Sequence, residues 1–244
     1  MTARLHLIVN PTAGRGRGAR AFPAAARALA AIGSVAEHRT RAAGDERRLV
    51  REALDLGATT IAALGGDGTW SKVAAAMVEA GTSCRFMPLA AGTGNDLAKS
   101  LGLPAAAFPD MARIAADGAD RLVDVGSVED RLFVNAVGFG FDVAAVAVAE
   151  RTPWLRGNAL YLYAALNLLF RYRGVRASIR SGESSPGEPR LLLGLVLANG
   201  RRFGGSFIIA PDARMDDGLL DLVTIADAPA LRRVAILGAA GRGT

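Results

Sequence analysis

The chain reads as an α/β domain built on a parallel sheet, followed by a mostly β second domain. Three observations predict it. Short apolar runs alternate with helix-like stretches through the first half, and three of those runs, ending at Val9, Leu64 and Ala90, lead into glycine-rich turns. Beyond Asp117-Gly118 the helical spacing gives way to runs rich in Val, Ile, Leu and Phe, joined by Gly or Pro turns. Strand–helix alternation means parallel strands with helices on both faces, because each parallel connection has to cross back over the sheet. Ligands of such sheets sit at the carboxyl ends of the strands, so the three turns share one edge and can converge on one ligand.

Residues 5–9 form a short apolar strand, 19–31 an Ala/Arg helix, 34–39 a strand, and 45–56 a helix with Leu49, Ala53 and Leu56 on one face. The alternation continues with a strand at 60–64, a helix at 69–80, a strand at 85–90 and a helix at 95–101. In the second half, 122–128, 132–137, 175–180, 191–198, 207–209 and 219–225 are strand-like. Helices at 142–150 and 158–171 interrupt them, and 181–189 is a polar Gly, Ser, Glu and Pro loop. The expected domains are 1–120, α/β, and 121–244, β-rich.

With 244 residues, 51% hydrophobic and 21% charged, the chain can bury a sizeable core. The single cysteine, Cys84, excludes an intrachain disulfide, fits a reducing compartment and reads as buried filler. Residues 1–6 enter a strand with no signal-peptide layout, and the apolar stretch 159–170 is too short to span a bilayer. The expected location is therefore cytoplasmic, with any membrane role peripheral, at the inner face. The formal charge of +6 comes almost wholly from arginine in an Ala- and Gly-rich chain, which reads as a generic basic surface; nucleic acid is not an expected partner. Residues 151–182 stand apart: they hold six arginines and no acid, interleaved with Trp154, Tyr161, Tyr163, Phe170 and Tyr172, a composition that can face lipid headgroups. His6 and His38 lack a Ser or Cys partner and read as core or surface residues, and no Cys/His cluster suggests zinc.

Gly65-Gly66-Asp67-Gly68-Thr69 reads as a phosphate cradle. Glycines let a ligand approach the main chain, and the N-terminus of the following helix favours an anion. Asp67 is the misfit, since a carboxylate beside phosphates needs a cation or a transferable proton between them. That combination suggests phosphoryl transfer. The first turn, residues 10–18, lacks the Gly-Lys-Ser/Thr ending of a P-loop, which leaves backbone amides and Arg15 or Arg17 for phosphate. In the third turn, residues 92–96, Asp96 either caps the next helix or holds a substrate hydroxyl.

In this order, Asn10-Pro11-Thr12-Ala13-Gly14, Gly65 to Thr69 and Gly92-Thr93-Gly94-Asn95-Asp96 resemble the signatures of the diacylglycerol kinase catalytic domain family. Residues 133–142, Gly204-Gly205 and 210–221 continue the resemblance over essentially the whole chain. It implies a nucleotide domain like those of NAD kinases and phosphofructokinases plus a β-sandwich domain, with ATP and a lipid alcohol at the membrane surface as partners; a homodimer is compatible with it. The implied nucleotide contacts are Asn10, Pro11, Thr12, Ala13, Gly14, Thr40, Gly66, Asp67, Gly68, Thr69, Trp70, Ser71, Lys72 and Thr93. The implied Mg²⁺ site lies in the second domain, on the Arg214 carbonyl, the Asp217 side chain and the Leu219 carbonyl; apart from the resemblance, residues 216–218 read as a simple turn. Asp67 is expected to organise metal and water or to act as the base, and Asp96 to hold the substrate hydroxyl.

Three departures temper the resemblance. Ser71-Lys72 stand where the family often has Asn-Glu, and Ala90 stands where a proline is common. The bacterial branch also carries a glutamate, a candidate base, in an Asp-Gly-Glu motif well past the position of Asp217, beyond Thr244 of this sequence. Poor activity is expected of residues 1–244 alone. The competing readings are a soluble-metabolite kinase of the NAD kinase type and a nucleotide- or lipid-binding protein without catalysis.

Overall fold

The computed structural model describes residues 4–104, 107–152, 155, 163–164, 166–168, 171–180, 187–205, 207–229 and 232–236. The chain divides into two compact units, Met1–Asn135 with Arg214–Leu219, and Ala136–Ala213 with Leu220–Thr244.

The first unit runs β1 (Leu5–Val9), α1 (Ala13–Ala30), β2 (Val35–Arg39), α2 (Asp45–Asp55), β3 (Thr60–Gly65), α3 (Asp67–Glu79), β4 (Arg85–Ala90), α4 (Asp96–Ser100) and α5 (Phe108–Asp117). A short antiparallel hairpin follows, β5 (Gly126–Val128) with β6 (Arg131–Phe133). Strands β2-β1-β3-β4 form one parallel sheet in that order. The chain order reverses between β1 and β3, the switch point at which ligands of such sheets bind. Pro88 is tolerated because β4 is at the end of this sheet, where no ladder donor is needed on its outer side.

Alternation along the strands builds two cores. Ile8, Ile61 and Ala63 pack with Leu49, Val50 and Ala53 of α2 and with Trp70, Val73 and Met77 of α3. Leu7, Val9, Ala62, Leu64, Met87 and Leu89 pack on the other face with Ala25 and Leu29 of α1 and with Phe108 and Met111 of α5. Trp70 has no exposed surface, and its indole N–H donates to the Ala63 carbonyl at 2.9 Å, which satisfies the one polar atom the ring buries.

His6 and His38 are both buried and stack 5.1 Å apart, with His6 Nδ1 and His38 Nε2 at 2.9 Å. That contact needs one ring nitrogen to donate and the other to accept. Burial holds the His38 imidazole below its ordinary value, against the upward pull of Glu52, whose Oε1 lies 3.6 Å from Nδ1. The folded chain thus takes up a proton there less readily than the unfolded one. The unfolded chain binds more protons as pH falls below about 6.5, so the stability is complete above that value and declines beneath it. Denaturation at pH 7.5 and pH 5.5 is expected to show a lower midpoint at pH 5.5, with the difference reduced in His38→Gln.

The structure differs from the sequence reading at several elements. Helix α5 arises where none was expected, from Pro109 in its first turn and from Phe108, Met111 and Ala112 spaced to bury one face. Of residues 122–128 only β5 is a strand: Leu122 is 91% exposed, while Val123 and Val125 pack against the first core as irregular chain. The run 132–137 splits because Val134 turns into that core, separating β6 from the next strand. These contacts carry the first unit past Gly118 to Asn135.

The second unit contains β7 (Ala136–Gly140), α6 (Phe141–Glu150), β8 (Val175–Ala177), β9 (Arg190–Ala198), β10 (Arg202–Phe203), β11 (Phe207–Ile208) and β12 (Asp221–Ala226). β9 is central, with β12, β7 and β8 all antiparallel to it, and β10 pairs with β11. Val196, Ala198, Ala210 and Ala213 form its core with Ala136, Phe203, Ile209 and Val223. Buried Arg233 ties the end of the described chain to the sheet region: it pairs with Asp227 at 2.7 Å and donates to the Ala228 and Tyr172 carbonyls. Much of the expected helix 158–171, including Tyr161 and Phe170, together with Trp154 and residues 181–186 of the polar loop, lies outside the described residues. No helix among the described residues is long and apolar enough to cross a membrane.

Candidate active site

The three glycine-rich turns meet at the carboxyl ends of β1, β3 and β4, and named side chains bind them to one another. Asn10 is the first tie. Its N–H donates to the Leu64 carbonyl at 3.0 Å, its Oδ1 accepts the Thr12 N–H and hydroxyl, and its Nδ2 donates to Thr69 Oγ1 at 2.9 Å. One short amide therefore orders its own turn and clasps the second. Thr40 lies buried at the end of β2, its N–H donating to the Val9 carbonyl at 2.9 Å.

Beyond Pro11 and Thr12 the backbone enters the left-handed region at Gly14 (φ 56°), Arg15 (φ 58°) and Gly16 (φ 85°). Regular right-handed helix begins only after this left-handed turn, close to the expected start at residue 19. A side chain on Gly14 would run into the Ala91 carbonyl, so glycine there permits contact between the first and third turns. Arg17 reaches across the same gap, its Nη2 donating to Thr93 Oγ1 at 2.9 Å.

The second and third turns touch backbone to backbone. The Ala91 N–H donates to the Gly65 carbonyl at 2.6 Å, and a Cβ on Gly66 would lie 2.7 Å from Gly92 Cα. Asp67 opens α3, and its Oδ1 accepts the Leu97 N–H at 3.0 Å. The carboxylate thus has a structural bond on one oxygen and retains the other. The Asp67 and Gly68 N–H groups belong to the first turn of α3, where no intrahelical carbonyl is available, and the helix dipole adds positive potential there. Asn95, at φ 55°, holds the third turn by accepting the Gly92 N–H and donating to the Gly92 carbonyl. Asp96 is not the cap of α4, since Asn95 occupies that position; it is buried in the first turn, with Lys99 Nζ 3.8 Å from its Oδ1.

Of the remaining expected contacts, Trp70 offers no side chain to a ligand, because its ring is core. Ser71 is half-buried, and Lys72 is exposed. Gly68 is exposed, with nothing within 4 Å of the place a Cβ would take. Packing therefore does not demand glycine there. Gly68→Ala is expected to raise stability by about 0.5–1 kcal/mol, as alanine does for glycine in a helix. It is expected to weaken ATP binding, because the methyl occupies the approach to the amides. Thermal melts and ATP titration check the two halves.

The stretch Arg214–Leu219 belongs to the first unit rather than to the second domain, since Met215 enters the first core and the Asp124 N–H donates to its carbonyl at 2.7 Å. Asp124 Oδ2 accepts the Gly218 N–H at 2.7 Å, and Asp216 pairs with Arg121 at 3.1 Å. Asp217 is exposed, and its Oδ1 accepts the Leu219 N–H at 3.1 Å, leaving Oδ2. The Asp217 side chain and the Arg214 and Leu219 carbonyls expected of the Mg²⁺ site are all oxygen donors, the type a hard cation takes. Among the described residues no cluster of three or more His, Cys, Asp or Glu side chains offers a competing metal site.

Asn95, Asp124 and the clasp of Asn10 on Thr69 were not singled out from the sequence. Asn95 had a visible signal, an asparagine next to glycines in a turn, where αL backbone is tolerated. Asp124 had none, for its partner is far away in the chain.

The chain thus combines a parallel α/β unit, with three tied glycine turns at its switch point, and an antiparallel β unit. The model of the diacylglycerol kinase catalytic domain matches residues 4–128, and the chain belongs to that family. Residues 135–244 match the YegS C-terminal NAD kinase beta sandwich-like domain. The chain is similar to the "Probable lipid kinase YegS-like" protein of Pseudomonas putida, 38% identical over 190 residues, covering 77% of this chain and 62% of that one. Its counterpart in Pseudomonas aeruginosa is 38% identical over 186 residues, covering 73% and 58%. The chain thus spans about three fifths of the length of these relatives. Among solved structures, a diacylglycerol kinase from Bacillus anthracis shares the fold at a TM-score of 0.73 and 23% identity, over 98% of this chain and 79% of that one.

Proposed function

We propose that this chain is the catalytic part of an ATP-dependent lipid kinase that transfers the γ-phosphoryl group to the hydroxyl of diacylglycerol or a related lipid alcohol. The observation that carries the reading is the tying of three glycine turns at the switch point, by Asn10 to Thr69, by Arg17 to Thr93 and by Asp67 to Leu97. A preorganised set of donors is what phosphoryl transfer needs. Family membership supports the lipid as acceptor.

The nucleotide sits on Asn10, Pro11, Thr12, Ala13, Gly14, Thr40, Gly66, Gly68, Thr69, Ser71, Lys72 and Thr93, with main-chain N–H groups of the turns facing its phosphates. Asp96 holds the lipid hydroxyl. Asp67 Oδ2 accepts the proton as that oxygen forms its bond to the γ-phosphorus and the bond from phosphorus to the β-phosphate oxygen breaks, releasing ADP. The Arg214 and Leu219 carbonyls and Asp217 would hold Mg²⁺, which would offset negative charge on the phosphates. The reaction takes place at the cytoplasmic membrane surface, where the acceptor resides.

Thin-layer separation of products from γ-labelled ATP, with diacylglycerol and other lipid alcohols in mixed micelles and NAD in parallel, tests the reading. Label in a phospholipid product is expected. Label in NADP alone sinks the lipid reading, and ATP binding without any transfer favours a binding protein.

A further inference from the structure

The first turn lacks the lysine that other phosphate loops carry, yet one cation is held over it by specific bonds. Arg17 donates through Nη2 to Thr93 Oγ1 at 2.9 Å and through Nε to the Gly14 carbonyl at 3.3 Å. Both acceptors are neutral. No carboxylate among the described residues lies within ion-pair distance of this guanidinium, whereas Arg47, Arg48, Arg85, Arg113, Arg121, Arg214 and Arg233 each have one. The fork is exposed and uses only part of its five N–H donors on these two bonds.

The backbone contortion explains how it gets there. The turn places Arg15, a non-glycine residue, at φ 58° and ψ 50°, a conformation that costs about 1–2 kcal/mol. Such strain persists only where the surroundings over-determine it. Here the Gly16 N–H bonds to the Thr12 carbonyl and the Ala19 N–H to the Pro11 carbonyl, closing the loop. Beyond the left-handed passage, Arg17 makes the bond to the third turn. A neutral hydroxyl and a carbonyl do not compensate a guanidinium, and an anion placed between the turns would.

We infer that Arg17 is a phosphate-binding clamp of the nucleotide site, holding the polyphosphate against the third turn in the role a lysine plays in a P-loop. This rests on the reading of the three turns as an ATP site and adds a residue to it. The guanidinium serves two partners: Thr93 aims it, and the remaining N–H groups take the phosphate oxygens. Its contribution scales with the phosphate of the ligand and is absent for the nucleoside.

Affinities of the 244-residue chain for ATP, ADP and adenosine, measured by calorimetry in the wild type, Arg17→Ala and Arg17→Lys, test the inference. Arg17→Ala is expected to weaken ATP and ADP about 10- to 100-fold, the range for charge-assisted bonds, and to leave adenosine unchanged. Arg17→Lys is expected to recover part of the loss, because a point charge replaces the fork. An equal loss for ATP and adenosine would overturn the inference and make Arg17 only a strap between turns; so would an unchanged ATP affinity. A wild type that binds ATP no better than adenosine removes the phosphate site altogether, and the proposed function falls with it.

Discussion

Replacing Asp67 with asparagine is expected to lower the proposed phosphoryl transfer by roughly 100- to 10,000-fold, the span general-base catalysis covers, while the fold stays intact. The fold survives because the bond this side chain makes is acceptance of the Leu97 N–H by Oδ1, and an amide oxygen also accepts that bond. What is lost is the negative charge and the capacity of the second oxygen to take a proton. The measurement is steady-state transfer to lipid beside a thermal melt of the same preparation. Asp96→Asn separates the two acids. Asp96 is buried beside Lys99 and is assigned the substrate hydroxyl, so its loss is expected to raise KM for lipid along with lowering kcat. A variant Asp67→Asn that melts as the wild type does and turns over at an unchanged rate removes Asp67 from the chemistry.

The second large effect concerns a glycine. Gly92→Ala places a methyl in collision with Gly66 Cα and 2.7 Å from Asn95 Oδ1. Neither neighbour is the far end of a flexible chain: one is backbone, and the other is held by two bonds to Gly92 itself. The second and third turns must therefore separate, at a cost of about 1–3 kcal/mol typical of overpacking, and the bond from the Ala91 N–H to the Gly65 carbonyl is stretched with them. A lowered denaturation midpoint together with loss of ATP binding is expected. The contrast with Gly68→Ala makes the pair informative. Both add one methyl to a glycine of the site, but one collides with protein and the other points into open space, so stability moves in opposite directions while ATP binding falls in both.

Much of this site was legible because its chemistry is local. Glycine runs after apolar strands, and the acids within them, announce themselves at short spacing, and the strand–helix alternation that places them on one edge is equally local. Strand β4 was read to the residue, and β1 likewise, since a strand buried on both faces is a continuous apolar run. What stayed hidden depends on distance. Asn10 finds Thr69, Arg17 finds Thr93, and Asp124 finds Gly218 only once the sheet has brought separate segments together. The same holds for Arg214–Leu219, which belongs to the first unit although it follows Ala136–Ala213 of the second in the chain. The resemblance implies a ligand contact at Trp70, but helical geometry turns its ring into the core. Helix α5 is hidden in the sequence because its apolar spacing at Phe108, Met111 and Ala112 falls where the composition shifts.

Backbone amide hydrogen exchange with and without ATP and Mg²⁺ tests most directly whether the three turns make one nucleotide site. The account predicts slowed exchange on nucleotide addition in residues 10–18, 65–72 and 92–97 together, with the same ATP concentration dependence in each. Slowing confined to one turn, or found elsewhere while these three stay unchanged, would contradict it.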